Sequence, residues 1–172
     1  GGENWGPYDE GEAVRAVETA IELGINAIDT APAYGSGRAE KLIGKVLKGR
    51  RENVFVATKC GIDIENGMRI DLSPAAVQKE LAASLKRLGT DYIDLYQCHW
   101  PDPSVPIADT MGALARFQKE GKIRFIGVSN FSRSQIEEAL KYAEIATLQP
   151  QYSLLDREIE SEIQPLCAQR GI

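Results

Sequence analysis

Two kinds of apolar pattern alternate along the chain. In the first, apolar residues recur every three or four positions, as in Ala13, Val17, Ala20 and Ile21, in Ala39, Leu42, Ile43, Val46 and Leu47, and in Val77, Leu81, Leu85 and Leu88. That spacing predicts amphipathic helices. In the second, short continuous apolar runs over residues 25–29, 53–59, 91–98 and 123–128 predict strands covered on both faces. The punctuation agrees. Asp9 with Glu12 three residues on reads as an N-cap and capping box, for a helix that runs to about Leu23 and stops at Gly24. Ser73-Pro74 reads as the N-cap and first position of a helix closed by Gly89. Further helices are predicted over about 108–120, 132–142 and 158–169, with a short strand within 143–149. Residues 61–72 mix Asp, Glu, Asn and Gly and read as a loop, and no hairpin is predicted anywhere.

The resulting order, helix and strand in strict alternation, predicts an α/β fold with a parallel sheet covered by helices. Two architectures share that order, an open doubly wound sheet and a closed (β/α)8 barrel. Gly35-Ser36-Gly37 begins like a dinucleotide-binding loop, but it lacks the third glycine and stands too far past its strand, so it reads as an ordinary helix start. A barrel instead gathers chemistry at the C-terminal ends of several strands. That is where Asp29, Lys59 and His99 stand, with Tyr34 five residues beyond Asp29.

Strand alternation puts Ala27 and Asp29 on one face, Phe55, Ala57 and Lys59 on one face, and Leu95, Gln97 and His99 on one face. If those faces line a barrel interior, the three polar groups converge at its mouth. A Lys ammonium withdrawn from water is tolerable beside a carboxylate, and a cation beside a phenol eases loss of the phenolic proton. A carbonyl oxygen receiving a proton from Tyr34, oriented by a hydrogen bond from His99, while hydride reaches its carbon, would use all four residues. Taken singly, Asp29 with Lys59 reads as a structural ion pair and His99 as a core side chain. Their joint occurrence at strand ends points to a site.

Composition narrows the partners. The 172 residues, 43% hydrophobic and 26% charged, fit a single globular domain, and a net charge of -5 gives no basic excess for nucleic acid or an anionic membrane. No apolar run approaches the roughly 20 residues of a membrane span and no signal-peptide pattern opens the chain, so a cytoplasmic location is expected. Three widely spaced cysteines suggest neither a disulfide framework nor a metal site. Cys98 and His99, adjacent on a strand, point to opposite faces and do not form a nucleophilic dyad.

Four motifs in this order, Asp29-Thr30-Ala31-Pro32-Ala33-Tyr34-Gly35, Ala57-Thr58-Lys59, Tyr92-Ile93-Asp94-Leu95-Tyr96-Gln97-Cys98-His99-Trp100-Pro101 and Gly121-Lys122-Ile123-Arg124-Phe125-Ile126-Gly127-Val128-Ser129-Asn130-Phe131, closely resemble the aldo-keto reductases. The resemblance covers nearly the whole chain. It implies a (β/α)8 barrel that reduces aldehydes or ketones with NADPH, with Tyr34 as general acid, Asp29 and Lys59 tuning it, and His99 orienting the carbonyl. It further implies that Ser129, Asn130 and Gln149 hydrogen-bond the nicotinamide carboxamide, and that Trp5 and Trp100 line the substrate pocket. Against the family's eight strands this chain is expected to hold barrel strands two to six, as one domain over 1–172 truncated at both ends. The family's grip on the adenosine 2′-phosphate lies beyond those strands, so NADPH is inherited from the resemblance and NADH stays open. Two other functions remain: a nicotinamide-binding regulatory subunit on the same fold, and a Schiff-base aldolase using Lys59, which the Asp29 partner disfavours by keeping the amine protonated. The expected small-molecule partner is a carbonyl or, in reverse, an alcohol. Its identity and the oligomeric state are not readable from the residues.

Overall fold

The computed structural model describes residues 9–65 and 67–172. The elements run α1 (Glu10–Glu22), β1 (Ala27–Asp29), α2 (Arg38–Val46), β2 (Phe55–Cys60), β3 (Ile62–Asp63), β4 (Arg69–Ile70), α3 (Pro74–Leu88), β5 (Ile93–Cys98), α4 (Ile107–Lys119), β6 (Ile123–Ser129), α5 (Arg133–Ala139), β7 (Thr147–Gln149) and α6 (Ile163–Arg170). Strands β1, β2, β5, β6 and β7 form one sheet in that order, every neighbouring pair parallel. With the strand order never reversing, right-handed crossovers set all the helices on one face. That is the wall of a (β/α)8 barrel; a doubly wound sheet reverses direction and carries helices on both faces.

Local signals explain where the helices begin and end. The Asp9 carboxylate caps α1 by accepting from Glu12 N at 2.8 Å. Ser73 caps α3 from the Ala76 N–H at 3.3 Å, and Gly89 closes it in the left-handed conformation. Ser132 and Gln135 form a reciprocal capping box on α5. The core lies between sheet and helices: Val56 and Cys60 of β2, Tyr96 and Cys98 of β5, and Ile126 and Val128 of β6 meet Val77, Leu81, Met111, Leu114 and Phe117 of α3 and α4. The other sheet face is the concave interior. At its lower end Phe55 and Phe125 stack with centroids 6.3 Å apart and stay partly exposed.

Two expectations are corrected. Residues 61–72 contain an antiparallel ribbon, β3 with β4, pairing Ile62 with Ile70 and Asp63 with Arg69. Gly67 and Met68 take positive φ values of 83° and 62° there, and Asn66-Gly67 in the sequence is itself a hairpin signal. Helix α1 packs on α2, and Ile21 of its stripe is partly buried against the core. The last helix begins at Ile163, not near 158, since Glu158–Glu160 closes a separate 3-10 turn in which the Glu160 carboxylate binds Arg157 and Tyr152. No helix among the described residues is long and apolar enough to cross a membrane.

Candidate active site

The register of the sheet brings polar side chains into the upper layers of the interior. Lys59 pairs across to Gln97, Gln97 to Gly127 and Gly127 to Thr147, while Asp29 pairs with Ala57 and Ser129 with Gln149. Side-chain alternation then points Asp29, Lys59, Gln97, Thr147 and Gln149 into the same concavity.

Lys59 is the hub. It is only 2% exposed, and its ammonium donates to Asp29 Oδ2 at 2.6 Å, to the Thr30 carbonyl at 3.0 Å and to Tyr34 Oη at 3.3 Å. An ammonium has three protons and no lone pair, so all its donors are engaged and Tyr34 can only be the acceptor in their contact. The phenol's own proton is thereby left for another acceptor, and Tyr34, 41% exposed, faces solvent.

The loop that carries Tyr34 is built by backbone conformation. Gly35, Ser36 and Gly37 all take positive φ, at 61°, 53° and 82°. Three left-handed residues in a row fold the chain back on itself, so that Gly37 N donates to the Pro32 carbonyl at 2.7 Å and α2 starts at once. A Cβ on Gly37 would come within 2.7 Å of Arg87 Cδ. The Gly-Ser-Gly segment is thus a helix start, as the sequence predicts.

His99 lies just past β5. Its N–H donates to the Cys60 carbonyl at 2.9 Å and its carbonyl accepts from Asn130 Nδ2 at 2.9 Å, so the ends of β2 and β6 bracket it. The imidazole stands edge-on to the Tyr34 ring, centroids 6.0 Å apart and planes at 86°. Burial, helped by the nearby Lys59 charge and opposed by Asp29, lowers its pKa to about 4. At neutral pH the ring is therefore an uncharged hydrogen-bonding group.

Ser129, Asn130 and Gln149 come together at adjacent strand ends. Ser129 Oγ donates to the Gln149 carbonyl at 2.7 Å and accepts from Asn130 Nδ2 at 3.0 Å. Asn130 holds φ at 61°, and its N–H donates to the Gln149 carbonyl at 3.2 Å. Gln149 Nε2 approaches Asp29 Oδ2 at 3.5 Å, joining this group to the first. Trp100, directly after His99, is exposed, with no ring contact to the four residues. Trp5 lies outside the described residues. The thiol of Cys98 is buried in the core on the helix side of β5, away from His99, and burial beside Cys98 pushes the Cys60 thiol well above its ordinary range, so neither is poised as a nucleophile. No group of His, Cys, Asp or Glu among the described residues is arranged to hold a metal ion.

Two site residues escaped sequence reasoning. Gln97, 3% exposed, donates from Nε2 to Asp29 Oδ1 at 3.3 Å, and its Oε1 accepts from Thr147 Oγ1 at 3.2 Å. The available signal was a neutral amide inside an otherwise apolar strand, two positions before His99 and on its face.

The model of the Aldo/keto reductase family matches residues 1–172. Aldo-keto reductase YhdN of Bacillus subtilis is 45% identical over 168 residues, covering 96% of this chain and 51% of that protein. The NADH-specific methylglyoxal reductase of Escherichia coli is 43% identical, covering 100% of this chain and 58% of that protein. The crystal structure of an aldo/keto reductase from Klebsiella pneumoniae with NADP and acetate superposes with a TM-score of 0.81 at 32% identity, covering 95% of this chain and 56% of that one. The chain spans about half the length of the curated relatives it matches.

Proposed function

The chain belongs to the aldo/keto reductase family, and on that premise we propose that it carries the catalytic half of an NADP(H)-dependent oxidoreductase that reduces aldehydes or ketones to alcohols. The observation that carries this reading is the engagement of all three Lys59 protons, the third of them by Tyr34 Oη at 3.3 Å. In this reading Tyr34 is the general acid that gives its proton to the carbonyl oxygen. Lys59, held charged by Asp29, stabilises the phenolate left behind. His99, neutral, donates a hydrogen bond that orients the carbonyl oxygen beside Tyr34. Every step is reversible, so the same groups serve alcohol oxidation.

Ser129, Asn130 and Gln149 would hold the nicotinamide carboxamide. The fit rests on their chemistry: among the described residues no hydrogen bond engages Asn130 Oδ1 or Gln149 Oε1, two acceptors at neighbouring strand ends suited to an amide NH2. When bound there, the reduced nicotinamide supplies the hydride. NADPH is the proposed form, with NADH as the alternative, since one relative is NADH-specific and another binds NADP. Trp100 is proposed to line the substrate pocket. The Schiff-base alternative loses support, because a buried, protonated Lys59 with every donor engaged is no nucleophile.

The test is the loss of NADPH near-ultraviolet absorbance with an aromatic aldehyde, wild type beside Tyr34→Phe. Turnover that vanishes in the variant while cofactor still binds is the expected result. Cofactor binding by the full-length protein without turnover of any carbonyl would overturn it in favour of a nicotinamide-binding regulatory subunit.

A further inference from the structure

Resting on that reading, the geometry points to Gln97, backed by Thr147, as a positioning residue that sets the plane of the Asp29 carboxylate and so the Lys59–Tyr34 contact. Asp29 ends a three-residue strand and its side chain is 39% exposed. Lys59 holds one of its oxygens, Oδ2; a carboxylate held at one oxygen can still turn about its own axis. Gln97 holds the other, Oδ1, at 3.3 Å. Two anchors on two oxygens fix the plane.

The amide is itself oriented. Thr147 Oγ1 donates to Gln97 Oε1 at 3.2 Å, which leaves Nε2 to face Asp29; the flipped amide would set its oxygen against the carboxylate. The space between Gln97 and Thr147 is closed down by Gly127, where a Cβ would meet Thr147 Oγ1 at 2.5 Å and Gln97 Cγ at 2.9 Å. Only a residue without a side chain lets these strands bring amide and hydroxyl together. The chain Thr147, Gln97, Asp29, Lys59, Tyr34 therefore draws on four strands of the sheet and ends on the phenol. An apolar residue of Gln97's volume would pack equally well and provide none of this, which separates positioning from packing.

The test uses the full-length protein. Gln97→Met is expected to lower kcat about tenfold with the carbonyl KM within about twofold, the scale of one hydrogen bond to a charged group. Thr147→Val, a milder change that guards against misfolding of the first variant, is expected to lower kcat about threefold and to add nothing to Gln97→Met. In an Asp29→Asn background Gln97→Met should be silent; an equal loss in both backgrounds would overturn the proposal. If wild type binds cofactor but turns over no carbonyl, the reductase reading fails and a crystal structure of Gln97→Met decides the positioning alone. An Asp29 carboxylate rotated off Lys59 sustains it, and one unmoved overturns it.

Discussion

Two ion-pair networks, each built around one deeply buried charge, sit at opposite ends of the same sheet. At the upper end Asp29 meets Lys59; at the lower end Asp94, 3% exposed, meets Arg51 at 2.7 Å and Arg124 at 2.8 Å and also accepts from Val56 N at 2.9 Å. Both guanidinium groups stack on the Tyr92 ring, each 4.2 Å from its centroid. In the lower network the carboxylate accepts from three donors and the Tyr92 ring serves as a platform for both cations. The upper network ends on a phenol that accepts a hydrogen bond and keeps its own proton. The difference between them lies in whether the hydrogen-bond chain terminates on a group that can still give something away. Barrels divide labour in the same sense, chemistry at the C-terminal strand ends and stability at the N-terminal ends.

Tyr34→Phe breaks the comparison most directly, by removing that terminal group. It is expected to cost about 10³-fold in kcat while leaving cofactor affinity and melting temperature nearly unchanged, read by absorbance, fluorescence titration and calorimetry. Asp94→Ala attacks the other pair and should do the opposite. Stranding Arg51 and the Val56 N–H is expected to cost about 2–4 kcal/mol of stability by denaturant titration, with kcat per folded molecule preserved. A large loss of kcat in folded Asp94→Ala would erase the distinction between the two ends.

Glu80 sharpens the picture within the upper end. It accepts from Gly61 N at 2.7 Å, two residues past Lys59, and burial beside Asp63 and Asp71 pushes its pKa from 4.5 up to about 7. Between those values the folded state holds a proton that the unfolded chain has lost, so stability falls as pH rises through the window and the full penalty applies above 7. Glu80→Gln should therefore stabilise by about 1 kcal/mol at pH 8 and by close to nothing at pH 4.5. Thermal melts at the two pH values read the difference.

His99 gives the opposite pH dependence. With a folded pKa of about 4 against an ordinary 6.5, the unfolded chain takes a proton that the folded imidazole refuses, so stability is lost as pH falls from 6.5 toward 4. Imidazole NMR signals should show no titration between pH 5 and about 8, and His99→Gln should flatten the acid limb of the stability curve. Titration near 6.5 would show the ring to be solvated.

What the residues determined alone is what depends on short stretches of chain. Helix starts at Asp9 and Ser73, and at the Gly-Ser-Gly segment after Tyr34, follow from capping and glycine chemistry within a few positions. The two-residue period of strands likewise fixes which face Asp29, Lys59 and His99 share, and four ordered motifs carried the family. The β3–β4 ribbon is half legible in Asn66-Gly67, but strands of two residues each carry no alternation to mark them. What the tertiary structure alone decided is which distant partners meet. Gln97 reaches Asp29 across 68 positions and Gln149 reaches it across 120, and no local pattern encodes either contact. A hydrophobic pattern states what a face prefers; sheet register and strand order decide what it finds.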